Sequence, residues 1–178
     1  MAPSPASLAD RTRALRVLLF DVDGVLTDGG IELSSNGGES KQFSIRDGAA
    51  LVWAQHEGLT VGLISGRPSD VTTRRADELG IRLVVQSPTN KAESYRHLVD
   101  TNGFAVDQIA YMGDDLLDLP VLTRVAVSAA PADAAPEVRA RVDWVSAAPG
   151  GRGAVREFIE FVLRMQGRWD GIVERLAG

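Results

Sequence analysis

The sequence predicts an α/β fold, a Rossmann-like parallel sheet with helices on both faces. Three observations predict it. Short, mostly apolar runs such as Val17 to Phe20, Thr60 to Ile64 and Gln108 to Met112 each stop at Asp, Ser or Gly. Runs of that length suit strands covered on both faces. Segments of helical length lie between them, and Gly58, Gly80 and Gly103 stand where those helices should stop. Strands alternating with helices at this pitch make βαβ units and a parallel sheet.

The elements follow in order. Met1 to Ala14, with Pro3 and Pro5, reads as a loose or partly helical lead-in. Val17 to Phe20 is the first buried strand. Gly29 to Ser44 alternates apolar and polar residues around Asn36-Gly37-Gly38, a hairpin signal in which Asn-Gly supplies positive φ values. The hairpin follows a strand end directly, so it is expected as a small flap. Arg46-Asp47-Gly48 opens a helix to about His56, with Asp47 as the expected N-cap. After the strand Thr60 to Ile64, Pro68 fits a helix's first turn, and that helix reaches about Leu79. Arg82 to Gln86 is a strand, and Thr89 or Asn90 caps the helix that holds Lys91. Gln108 to Met112 leads to a short helix from Leu116 to about Leu122. Val125-Ala126-Val127 and Val142 to Val145 are short strands, with a small helix at Pro136 to Arg141. The last helix runs from about Gly153 to Met165. The expected organisation is a lead-in at 1–14, one domain at 15–168 with the flap at about 29–44, and a tail at 169–178.

Bulk properties exclude several classes. The chain has 178 residues, 44% hydrophobic and 24% charged, with a formal net charge of −5. That suits one soluble domain and speaks against nucleic acid as a partner. There is no cysteine, which removes disulfides, thiolate metal sites and thiol nucleophiles. No run approaches the ~18 apolar residues needed to cross a bilayer, so no membrane partner is expected. Met1 to Leu15 lacks the apolar core of a signal peptide, and the cytoplasm is the expected compartment. His56 and His97 both fall inside expected helices, so histidine catalysis is not expected.

Four polar stations fall at strand ends or helix starts: Asp21/Asp23, Ser65-Gly66-Arg67, Lys91 and Asp114/Asp115/Asp118. A parallel sheet gathers such ends onto one edge, where ligands bind. Asp21 and Asp23 are two places apart, and paired carboxylates at one strand end repel each other and invite a divalent cation, Mg²⁺. A carboxylate to attack, a second to move a proton, others for the cation, and a hydroxyl, an N–H and a lysine for an anion form an inventory for phosphoryl transfer through an aspartyl-phosphate.

Asp21-x-Asp23-Gly24-x-Leu26-Thr27-Asp28, then Ser65-Gly66-Arg67, Lys91 and Gly113-Asp114-Asp115-x-x-Asp118 resemble, in order and spacing, the four motifs of the haloacid dehalogenase-like phosphatases. The resemblance implies that Asp21 is the nucleophile and Asp23 the general acid and base. It implies that Ser65 and the Gly66 N–H hold a phosphoryl oxygen while Lys91 neutralises the phosphate. Asp21, Asp114 and the Asp23 backbone carbonyl would hold Mg²⁺, and Asp115 and Asp118 would support that shell. Only the hairpin separates the first motif from Arg46-Asp47-Gly48, and Arg67 to Lys91 leaves room for one helix and one strand, so no large cap domain is expected.

Finer matches narrow the family. Phe43-Ser44-Ile45-Arg46-Asp47-Gly48, Arg75 before Leu79-Gly80, and Gly150-Gly151-Arg152-Gly153 resemble segments of 3-deoxy-D-manno-octulosonate 8-phosphate phosphatases. Val52 departs from an arginine common there. The resemblance implies a phosphorylated acidic sugar as substrate, bound by Arg67, Arg75 and the segment Ser44, Ile45, Arg46, Asp47 and Gly48, and a homotetramer assembled through the hairpins. A guanidinium fork suits a sugar carboxylate. The alternatives are a phosphatase for a nine-carbon acylneuraminate-type sugar 9-phosphate and, from other classes, a non-catalytic assembly domain or a phospho-signalling receiver. A receiver has no acid two places after its phosphorylated Asp, so Asp23 speaks against it.

Overall fold

The computed structural model describes residues 6–87 and 90–178. The expected cap Thr89 and the start of the lead-in lie outside them. Strand β1 (Val17–Phe20) is fully buried and central. It is flanked by β4 (Thr60–Ser65) and β6 (Ile109–Met112), beyond which lie β5 (Leu83–Gln86) on one side and β7 (Val127–Ala130) and β8 (Trp144–Val145) on the other. The sheet order is β5-β4-β1-β6-β7-β8, and every neighbouring pair is parallel. This is the α/β architecture that the sequence predicts. A separate antiparallel pair, β2 (Glu32–Leu33) and β3 (Glu39–Ser40), forms the hairpin flap.

Alternation along β1 divides the core. Leu18 and Phe20 face α2 (Ile45–His56) and α7 (Ala154–Met165), while Val17 and Leu19 face α4 (Lys91–Asn102) and α5 (Leu119–Leu122). Phe158 of α7 meets Phe20 edge-on at 6.4 Å and is fully buried. Burying one such side chain contributes roughly 1.5–3 kcal/mol. The remaining helices are α1 (Leu8–Ala14), α3 (Asp70–Glu78), α6 (Pro136–Arg139) and α8 (Trp169–Ala177).

Several expectations are corrected. The hairpin pairs Glu32 with Ser40 and Leu33 with Glu39, so Gln42 to Ser44 is not a strand. Its turn uses positive φ only at Gly37 (83°), and the Asn36 side chain instead accepts the Gly38 N–H. Ser44, not Asp47, caps α2, accepting the Asp47 N–H at 3.2 Å. Ser69 caps α3, which leaves Pro68 before the cap rather than in the first turn. Asn90 caps α4 by accepting the Ala92 N–H at 2.9 Å. β7 starts at Val127 and continues through Ser128, Ala129 and Ala130, small residues that the buried sheet position favours over strand propensity.

The largest departure is the C-terminal segment. The expected tail is helix α8, whose Trp169 and Ile172 are buried. Trp169 packs edge-on against Trp53 of α2 at 5.9 Å, and the Arg156 guanidinium lies over both rings at 5.2 and 4.3 Å. Aromatic burial and cation–π contact hold α8 on the body.

Candidate active site

The register of the parallel sheet builds the site. Phe20 lies opposite Leu63 of β4 and Met112 of β6, so the residues that follow all three strands meet at one edge. Asp21 continues β1, its N–H donating to the Met112 carbonyl at 2.9 Å. Val22 turns into the core, and its carbonyl accepts the N–H groups of Val25, Leu26 and Thr27 to close the loop. Gly24 has φ 90°, and a Cβ there would stand 2.1 Å from Asp114 Oδ2. Only glycine lets the two loops approach so closely. Gly150 and Gly151 close this loop from behind. A Cβ on Gly150 would lie 1.9 Å from the Gly24 oxygen, and the Gly151 N–H donates to Val25 at 2.9 Å.

Lys91 reaches the cleft from the first turn of α4. That is an unfavourable place for a cation beside the helix dipole, and two carboxylates offset it. Nζ lies 2.8 Å from Asp21 Oδ2 and 2.6 Å from Asp118 Oδ1. Asp118 is fully buried and saturated with donors: Lys91, the Tyr111 hydroxyl at 2.5 Å, and the N–H groups of Asp114 and Asp115 at 3.0 and 3.1 Å. It therefore fixes the Asp114 loop and the lysine together, as a buttress behind the cleft.

Burial pushes the Asp21 carboxyl from 3.8 up to about 7, the Asp118 charge adds to this, and Lys91 opposes it. Burial, then the charges of Asp21 and Asp118, push Asp114 up to about 8. Burial would lower Lys91, but its two carboxylate partners outweigh that and raise it. Carboxylates on Asp21, Asp114 and Asp118 converge within 4.8 Å of one another around one lysine. Three carboxylates against a single lysine leave excess negative charge on hard oxygen donors, which fits a divalent cation such as Mg²⁺. Because Asp118 is occupied by donors, Asp21 and Asp114 are the carboxylates left to face such an ion.

Residues 82–159 match the haloacid dehalogenase-like hydrolase model. The 3-deoxy-D-manno-octulosonate 8-phosphate phosphatase of Escherichia coli (strain K12) is 39% identical over 168 residues, covering 94% of this chain and 89% of that one. The chain belongs to this phosphatase family. Among solved structures, the Moraxella catarrhalis phosphatase of that name, in complex with magnesium ion, phosphate ion and KDO, is 32% identical with TM-score 0.91. The match covers 94% of this chain and 97% of that one. The cobalt-bound Haemophilus influenzae phosphatase is 36% identical with TM-score 0.86, over 89% and 93% of the two chains.

In this member of the family, Asp21, Asp23, Ser65, Gly66, Arg67, Lys91, Asp114, Asp115 and Asp118 all line one hollow of about 260 Å³. Ser65 ends β4, with its hydroxyl donating to the Arg67 carbonyl (3.1 Å) and accepting the Arg67 N–H (3.2 Å). Asp115 caps the turn that starts at Leu116. The Asp23 carboxylate is not among the converging metal-type oxygens; it meets Lys41.

The segment Ser44, Ile45, Arg46, Asp47 and Gly48, and Arg75 with it, lie outside this hollow of the single chain. Asp47 is buried, and its carboxylate accepts the Gly153 and Arg156 N–H groups at 3.1 and 2.8 Å, so it caps α7. Gly48 packs beneath the Arg75 guanidinium. Arg75 pairs with Glu78 at 2.8 Å, stands over Phe43, and lines a separate hollow with Phe43, Val71 and Arg74.

Sequence reading missed Lys41, Glu39 and Tyr111. Lys41 sits between Ser40 and Gln42 in a polar hairpin and carries no motif. Tyr111 reads only as one more residue of a buried strand. No described helix is long and apolar enough to cross a membrane.

Proposed function

We propose that this protein is a Mg²⁺-dependent phosphomonoesterase that hydrolyses 3-deoxy-D-manno-octulosonate 8-phosphate to the free sugar and phosphate. The observation that carries the reading is Asp21 held at the end of β1 by Lys91, in one hollow with Asp23. Asp21 attacks phosphorus and forms the aspartyl-phosphate as the bond to the sugar oxygen breaks. Asp23 gives its proton to that oxygen, then takes one from the water that hydrolyses the intermediate. Lys91, the Ser65 hydroxyl and the Gly66 N–H hold the phosphoryl oxygens. Asp21, Asp114 and the Asp23 backbone carbonyl would hold Mg²⁺, with Asp115 and Asp118 in support. When bound, the ion supplies charge neutralisation at the transferring phosphoryl group.

Arg67 lines the hollow and supplies the guanidinium for the sugar carboxylate in this reading. Arg75 and the segment from Ser44 contribute in this reading only if a second subunit brings its own cleft to them. The same reading therefore includes a homotetramer formed through the flaps, where Leu33 is 75% exposed. It also places the enzyme in the cytoplasm and treats residues 15–168 as the phosphatase domain. Light scattering of an active monomer would remove the assembly.

The test is phosphate release from eight- and nine-carbon ulosonate phosphates, with and without Mg²⁺. Preference for the eight-carbon ester, lost in Asp21→Asn, is expected. Preference for the nine-carbon ester would reassign the substrate, and no turnover of either would leave an assembly domain.

A further inference from the structure

Lys41 presents an arrangement that phosphoryl transfer alone does not require. It lies just past β3 on the flap, between polar neighbours, where a lysine would ordinarily reach into water. Instead its side chain is fully buried. Nζ is 2.7 and 3.0 Å from the two Asp23 oxygens, and 3.4 Å from the Thr72 hydroxyl. A buried ammonium is costly unless paired at good geometry. The flap is already pinned without it: Glu39 accepts the Ser69 hydroxyl at 2.6 Å and pairs with Arg67. The Asp23 side chain stays 24% exposed and lines the hollow. The lysine thus contacts the carboxylate while leaving part of it open to the cleft.

We propose that Lys41 is a positioning residue for proton transfer: from the flap, it aims the Asp23 carboxyl at the leaving oxygen. The proposal rests on the reading of Asp23 as the acid and base. In the first step the Asp21 oxygen bonds to phosphorus, the bond to the sugar oxygen breaks, and the Asp23 proton moves to that oxygen. The carboxylate left on Asp23 forms beside the Lys41 ammonium, which stabilises it. In the second step water bonds to phosphorus, the Asp21–phosphorus bond breaks, and Asp23 takes the water's proton. The flap therefore carries part of the proton-transfer geometry.

The test separates proton transfer from general support, using the full chain with Mg²⁺. kcat/KM is measured for the sugar 8-phosphate, whose alkoxide needs a proton, and for p-nitrophenyl phosphate, whose phenolate leaves without one. Lys41→Met is expected to lower the first by about tenfold or more and the second by less than about threefold. Lys41→Arg, which keeps the charge, should restore most of the sugar-phosphate rate. Asp23→Asn combined with Lys41→Met should be no slower on the sugar phosphate than Asp23→Asn alone. Equal losses on both substrates, no loss, or multiplying losses in the double variant would overturn the proposal. Asp23→Asn turning over the sugar phosphate at the wild-type rate would instead remove the acid–base reading itself.

Discussion

Lys91 Nζ stands 2.6 Å from Asp118 Oδ1, so the cation at the cleft is fixed from behind by a carboxylate that has no exposure of its own. Tyr111 donates to the same oxygen at 2.5 Å. Tyr111→Phe keeps the ring and removes the hydroxyl, leaving a buried carboxylate short of one donor. A loss of about 1–2 kcal/mol is expected, read as a lower urea midpoint at unchanged slope, with a several-fold drop in turnover as Lys91 loosens.

The raised pKa values of Asp21 and Asp114 set a pH dependence for the metal-free protein. Their folded values, about 7 and about 8, lie above the ordinary 3.8. Between those limits the folded state binds more protons than the unfolded one, so stability falls as pH rises. The contribution is fully present below about pH 4 and is lost as pH rises through the folded values of about 7 and about 8. Melting of the metal-free chain should therefore drop by about 3 °C or more between pH 5.5 and 8.5. Mg²⁺ requires the ionised carboxylates, so its stabilising shift should be larger at pH 8.5.

Gly150→Ala drives a Cβ against the Gly24 carbonyl, 1.9 Å away. The loop carrying Asp23 must move, at a cost of about 1–3 kcal/mol and at least tenfold in activity. Gly171→Ala, within α8, meets nothing closer than the Arg175 side chain at 3.9 Å. It should raise stability by about 0.5–1 kcal/mol and leave turnover alone. Denaturant curves and initial rates on both variants check the contrast.

Trp169→Ala removes the ring that Trp53 and Arg156 hold. The expected cost is about 3 kcal/mol, seen in chemical denaturation. Activity of the remaining folded protein should persist, because Trp169 does not line the Asp21 hollow.

Much of the fold was legible because its signals are local. Buried strands ending at Asp21, Ser65 and Asp114 marked both the sheet and its working edge. Gly58, Gly80 and Gly103 each adopt positive φ after a helix. What stayed hidden depends on partners far along the chain. Asp47 looks like a cap for its own helix, yet serves α7 more than a hundred residues away, where Gly153 offers no side chain. α8 follows a glycine and has few apolar anchors, and only the Trp53 and Arg156 surface shows why it docks. Lys41 has the local look of a solvated residue, and its burial comes from where the flap lands. Arg75 matches the family pattern in sequence, but the folded chain gives it a hollow apart from Asp21.

The most direct measurement is rapid quenching of the enzyme during turnover of the sugar 8-phosphate, followed by peptide mass spectrometry. Phosphate attached to the peptide carrying Asp21, absent in Asp21→Asn along with phosphate release, is the predicted result. Turnover by Asp21→Asn at the wild-type rate, or phosphate carried on another residue, would contradict it.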